Sequence, residues 1–155
     1  MFNIIYNLIN IILFSIYKVF LSNEKLVLKK YKNTSDAILN NDLKGLIILY
    51  DYNYPIQHDT IINAIQIGNI ECLKYIISIQ PNNCQLTEAA IYASTYGHLD
   101  SLKLLLENNC VLHENIIYTA LLNSHFDCFE LALNYNCPFD PLTCIDILHK
   151  QLIKD

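Results

Sequence analysis

The sequence predicts an all-α chain: a helical-hairpin solenoid with short loops over residues 34–155, preceded by a hydrophobic N-terminal helix and basic linker in residues 1–33. Three observations predict it. Alanines recur at near-constant spacing, apolar residues keep step with them at helical intervals, and 53% of the chain is apolar against 16% charged. That balance supplies a core and excludes general disorder. The richness in Ile, Asn, Leu and Tyr, with neither Arg nor Trp, points to an AT-rich genome and to no particular chemistry.

Residues 2–21, FNIIYNLINIILFSIYKVFL, are apolar and long enough for a membrane-crossing helix, which takes ~20 residues. Asn3, Asn7, Asn10, Ser15 and Lys18 also fall near one helical stripe, which makes the segment an amphipathic helix packed on the first repeat. Both readings stand at this stage. A cleaved signal peptide is disfavoured because a basic start and a small-residue cleavage site are missing. Lys18, Lys25, Lys29, Lys30 and Lys32 follow the apolar stretch, so a crossing helix would leave the repeats facing the cytosol. A cytoplasmic location is expected in either case.

From residue 34 onward the chain repeats. Ala37, Ala64, Ala93 and Ala120 correspond, at separations of 27, 29 and 27 residues. A turn pair follows each alanine: Asn41-Asp42, Gly68-Asn69, Gly97-His98 and Ser124-His125. Leu43, Ile70, Leu99 and Phe126 come next. Further on, Leu46, Leu73, Leu102 and Phe129 correspond, as do Leu49, Ile76, Leu105 and Ala132, and Tyr50, Ile77, Leu106 and Leu133.

Each unit reads as two short helices. In the second unit Asp59 or Thr60 is placed to cap the first helix, and Gly68 to end it in the left-handed region. The second helix is expected over 71–79, with Leu73, Ile76 and Ile77 on one face, Glu71 at the positive helix start and Lys74 toward solvent. Helices this short are marginal alone, so stacking on the next unit must bury their apolar faces. Asn41 and Ser124 stand where the middle units carry glycine, and those two turns should be less ideal. Residues 140–155 supply one helix of a fifth unit, with Asp140 as cap and Pro141 at the first helical position. Ile145, Leu148 and Leu152 are expected to cover the fourth unit, leaving Asp146, His149, Lys150 and Gln151 as the polar face of a terminal cap.

Residues 97–110, GHLDSLKLLLENNC, resemble the ankyrin-repeat core, in which a Gly-His-Leu-Glu turn leads into a leucine-rich second helix. Gly68-Asn-Ile-Glu-Cys-Leu-Lys-Tyr repeats the pattern, and residues 136–144, NCPFDPLTC, supply a linker between units. Over residues 34–155 the chain is similar to a shortened ankyrin variant of about 27 residues common in proteins of giant amoebal viruses and some protists. The resemblance implies a scaffold or adaptor that binds another protein, needs no cofactor and catalyses nothing. The usual period is ~33 residues with a Thr-Pro-Leu-His start. Both are absent, so short loops are expected in place of projecting fingers. Some relatives begin with an F-box; residues 1–33 show no such pattern.

The cysteines mostly occupy repeat positions. Cys72 and Cys128 correspond to Gly45 and Ser101, and Cys110 and Cys137 to Tyr54 and Pro81. Packing sites permit such exchange and zinc sites do not. No CxxC pair occurs, and Cys137, Cys144 and His149 form only a weak metal set. Cys110 with His113, or Cys128 with His125, would be needed for a cysteine hydrolase. The alternative is that His98 and His125, which share one position beside the turn, hydrogen-bond loop backbone, as ankyrin histidines commonly do. Gly-rich phosphate loops, HExxH and GxSxG are absent. Tyr50, Tyr52 and Tyr54 are either a contact spot or half-buried linker packing.

Residues 1–33 hold five Lys against one Glu, and residues 34–155 five Lys against fourteen acids. An acidic body without arginine is a poor partner for phosphate backbones, which sets nucleic acid aside. The expected partner is a protein bound by a monomeric array, with self-association of a membrane-tethered array as the alternative. Expected contact residues are the more polar first-helix positions near the turns: Asn63, Gln66, Tyr92, Thr95, Thr119 and Asn123.

Overall fold

The computed structural model describes residues 2–79 and 83–153, apart from the side chains at 2–11, 14, 17, 20, 83, 84 and 152. These residues form helices joined by short turns: α1 (Phe2–Lys30), α2 (Thr34–Leu39), α3 (Leu43–Asp51), α4 (His58–Gln66), α5 (Ile70–Ile79), α6 (Asn83–Tyr96), α7 (Leu99–Glu107), α8 (Glu114–Leu122), α9 (Phe126–Asn134) and α10 (Pro141–Leu152). No strand occurs among the described residues. The helices pair as α2/α3, α4/α5, α6/α7 and α8/α9 and stack in two rows. In one row α2, α4, α6, α8 and α10 each pack on the next, and in the other α3, α5, α7 and α9 do so less closely.

The repeating alanines explain the tight row. Ala37, Ala64, Ala93 and Ala120 are all fully buried, and a methyl group lets adjacent first helices approach. Leu46, Leu73 and Leu102, with Leu49, Ile76, Leu105 and Ala132, are equally buried on the second helices, at the three-residue spacing that keeps them on one face. One continuous core runs through the stack. No single hairpin could bury these faces, so each depends on its neighbour.

Each first helix ends in a left-handed residue, at Asn41 (φ 55°), Gly68 (φ 67°), Gly97 (φ 72°) and Ser124 (φ 59°). The two turns expected to be less ideal adopt the same conformation as the glycine turns. The reason is the backbone bonding they share: Asp42, Asn69, His98 and His125 each donate N–H to the alanine carbonyl of their own unit, at 2.8–3.0 Å. A second set, Asn53, Asn109 and Asn136, is left-handed after α3, α7 and α9. Asparagine tolerates this region better than most side chains, and here it ends helices that have no glycine at their C-terminal turn.

Two expectations need correction. Neither Asp59 nor Thr60 stands at the N-cap of α4, which is Gln57, although Thr60 does satisfy an orphan amide at the helix start, as expected. Thr60 accepts the Gln57 N–H at 3.2 Å from inside the first turn. Its hydroxyl also lies 3.0 Å from that of Thr34, which donates to the Pro55 carbonyl at 2.9 Å. Both threonines are buried, so this cluster ties two units together.

The second correction concerns α10. Ile145 (60% exposed) and Leu148 (37% exposed) do not cover the fourth unit, and the Leu152 side chain lies outside the described residues. Cys144 and Ile147 make that contact instead. Gln151, expected on the outer face, turns inward and donates to the Leu121 and Leu122 carbonyls at 2.7 and 3.0 Å. These carbonyls end α8, where the helix supplies no further donor, and the Gln151 amide adds to the Ser124 N–H that the Leu121 carbonyl already receives at 3.0 Å. Asp140 does cap α10, accepting from Thr143 N–H at 2.9 Å, with Pro141 at the first helical position. Its bonds to the Thr143 hydroxyl and backbone hold its carboxyl below the ordinary range.

The last turns of α1 pack on α3 through Val27 and Leu28, and Tyr31 is buried against Gly45. A Cβ at residue 45 would stand 2.8 Å from the Tyr31 ring, so only glycine fits there. Tyr31 also donates its hydroxyl to Asp42 at 2.8 Å. Partial burial pushes the Asp42 carboxyl up, but the Gly45 N–H, the Tyr31 hydroxyl and Lys30 together take it below its usual value. Further toward the N-terminus, Ile12, Leu13, Ser15, Ile16, Lys18 and Val19 are all exposed. Among the described residues, no helix is long and apolar enough to cross a membrane. The expectations for the side chains of residues 2–11, including the polar stripe through Asn3, Asn7 and Asn10, lie outside the described residues.

Candidate functional site

The six expected contact residues sit on α4, α6 and α8 and at the turn after α8. One period relates Asn63, Tyr92 and Thr119, and another relates Gln66 and Thr95. Stacking therefore turns a sequence period into a row of equivalent side chains. Gln66 and Asn123 are exposed, whereas Asn63, Tyr92, Thr95 and Thr119 are half-buried.

Two of the six converge on a residue that sequence reasoning missed. Gln66 donates its amide to the Tyr96 hydroxyl at 3.0 Å, and the Tyr92 and Tyr96 rings stack with centroids 6.2 Å apart. Tyr96 is 45% exposed and also lies 6.2 Å from the His98 ring. The signal was available, since Tyr96 stands one 27-residue period before Asn123. The other members of the set turn back on their own helices. Thr95 donates to the Ile91 carbonyl at 2.8 Å and Thr119 to the Asn115 carbonyl at 2.7 Å. Asn123 donates to the Thr119 carbonyl at 2.8 Å. Asn63 joins no cluster with the rest.

A ladder of turn residues borders this row. Asn69 donates to the Asn41 side chain of the preceding unit at 2.5 Å. The His125 Nε2 lies 3.1 Å from the Thr95 carbonyl of the preceding unit, which makes it a donor and fixes the tautomer. The same ring covers Gly97, where a Cβ would meet its Nδ1 at 2.6 Å. His125 thus bonds backbone, but the carbonyl it meets belongs to the last turn of α6 and not to a loop as expected. His98 stands over Gly68 more loosely, 4.0 Å from the place a Cβ would take.

The reactive groups are elsewhere. Cys72, Cys110, Cys128, Cys137 and Cys144 are free thiols and all are buried. Burial pushes each of them up, Cys110 to about 11 with the help of neighbouring Cys137. The Cys72 and Cys128 sites line up with buried Gly45 and Ser101, a column where only small groups fit. His113, the imagined partner of Cys110, accepts the Asn115 N–H at 3.1 Å as the N-cap of α8. Among the described residues no group of three His, Cys, Asp or Glu side chains could hold a metal ion, so Cys137, Cys144 and His149 do not assemble as ligands.

The linker tyrosines divide. Tyr50 meets Tyr75 edge to face at 6.2 Å and Tyr54 packs against the core, while exposed Tyr52 donates to Glu24 of α1 at 2.7 Å.

The fold and this surface define a class no finer than an all-helical stack of hairpins with a polar, aromatic row along its first helices. No family model, no curated protein and no solved structure matches the chain.

Proposed function

We propose that the chain is an interaction module of the shortened ankyrin type, which binds a partner protein along its first-helix row and carries out no catalysis. The observation that carries this reading is the Gln66–Tyr96–Tyr92 cluster, in which two adjacent units contribute to one exposed polar and aromatic patch. Tyrosine supplies large contact area at low entropic cost and is enriched at interfaces. Exposed Asn123 extends the patch toward the fourth unit. The non-catalytic part of the proposal is supported by the thiols of Cys72, Cys110, Cys128, Cys137 and Cys144, which are buried and pushed up by that burial. Reduced buried thiols also suit a cytoplasmic location.

Proximity labelling in the native cell, with the full chain compared against a Gln66→Ala, Tyr96→Ala, Asn123→Ala variant, tests it. A partner enriched by the natural chain and lost with the variant, at unchanged helix content by circular dichroism, is the expected result. Equal enrichment by both would remove this surface.

A further inference from the structure

The outer part of α1 carries an exposed surface that the stack leaves uncovered. Ile12, Ile16, Val19 and Leu26 are 56–65% exposed, and their spacing of four, seven and fourteen residues from Ile12 puts them on one helical stripe. Lys18, Lys25 and Lys29 are also exposed. Seven and eleven residues separate the latter two from Lys18, so they form a second stripe beside the first. Lys30 is not part of it, since it pairs with Asp42 at 3.8 Å and lies over the Tyr31 ring at 4.5 Å. Glu24 is occupied by the Tyr52 hydroxyl.

We propose that α1 lies along an anionic lipid surface, its Ile12–Ile16–Val19–Leu26 stripe in the acyl boundary and its Lys18–Lys25–Lys29 stripe among the head groups. Charge complementarity selects this occupant. The chain segment up to residue 33 has four more cations than anions, while the rest has nine more anions than cations. An anionic surface therefore attracts α1 and repels the stack, which fixes the orientation. Lysines flanking an apolar stripe extend their stems over it and keep their ammonium groups in the head-group layer. A second copy that covered the apolar stripe with its own would bring the two lysine stripes together, which like-charge repulsion opposes. The inference does not rest on the first-helix row, and each fails separately.

The test is co-sedimentation of the full chain with vesicles of phosphatidylcholine alone and of equal parts phosphatidylcholine and phosphatidylserine. Binding is expected only to the anionic vesicles and should weaken with added salt. At about 1 kcal/mol per lysine near the surface, Lys18→Gln, Lys25→Gln, Lys29→Gln should bind ~100-fold more weakly. Ile16→Asp, Val19→Asp should abolish binding while leaving helix content and melting unchanged, because both side chains are exposed. Equal binding to both vesicles, no binding to either, or an unaffected lysine variant would overturn the proposal. So would lipid-independent, concentration-dependent sedimentation that Ile16→Asp, Val19→Asp removes, which would assign the stripe to a second copy.

Discussion

Replacing Gly97 by alanine isolates the contact between consecutive units at the turn. Gly68 and Gly97 have nearly the same left-handed φ, 67° and 72°. A Cβ in that region costs roughly 1–2 kcal/mol, offset by roughly 0.4–1 kcal/mol from the stiffer unfolded chain. Gly68→Ala, with nothing nearer than His98 Nδ1 at 4.0 Å, should therefore destabilise by about 1 kcal/mol. At Gly97 the new methyl would stand 2.6–2.9 Å from three atoms of the His125 ring. The ring must swing away, which breaks its 3.1 Å bond to the Thr95 carbonyl and adds about 1–2 kcal/mol. Urea unfolding by circular dichroism measures the difference, with the slope checked because repeat stacks can lose cooperativity. His125→Ala should remove the excess, so that the pair of substitutions costs at least about 1 kcal/mol less than the sum of the singles. Equal losses for Gly97→Ala and Gly68→Ala, or strict additivity with His125→Ala, would refute the reasoning.

Ser124→Gly should raise the melting temperature by about 1–4 °C, because serine at φ 59° carries strain that glycine lacks; a scanning melt checks it. Thr60→Val keeps the shape but takes the acceptor from the Gln57 N–H and one of two partners from the Thr34 hydroxyl, which keeps its bond to the Pro55 carbonyl, so a loss of about 1–2 kcal/mol in urea is expected. The Cys110 thiol titrates near 11 in the fold against 9.0 when unfolded. Its contribution is therefore complete below pH 9 and lost as pH rises through 11, and Cys110→Ala should flatten that alkaline fall in a pH series of melts. On α10, Ile145→Lys should change stability by less than about 0.5 kcal/mol while Ile147→Asp costs more than about 2 kcal/mol, a contrast that urea titration reads directly.

The local signals in the sequence were sufficient wherever the physics was local. Gly68, Gly97 and Asn41 announce a left-handed turn because few other residues tolerate one, and Pro141 after Asp140 announces a helix start for similar reasons. Asn53, Asn109 and Asn136 carried the same signal at the second-helix ends and could have been read the same way. The facing of α10 was not legible. Leu142, Ile145 and Leu148 make an apolar stripe as regular as any in the chain, yet they stay exposed while Gln151 turns inward.

The candidate surface divides along the same line. Repeat spacing alone placed Gln66, Tyr92 and Thr95 on one row, because a period in sequence becomes a row once units stack. That Gln66 meets Tyr96 across units, that His125 closes over Gly97, and that Thr34 and Thr60 share a buried hydroxyl cluster depend on atoms about 25–30 residues apart in the chain. By itself the sequence determined the helical class, the repeat length, the left-handed turns and the buried alanine and leucine columns, since backbone preference and hydrophobic period act over a few residues. Only the tertiary structure decided which polar groups find partners and which apolar faces stay open, because hydrogen bonds and close packing are settled by neighbours that the local pattern does not contain.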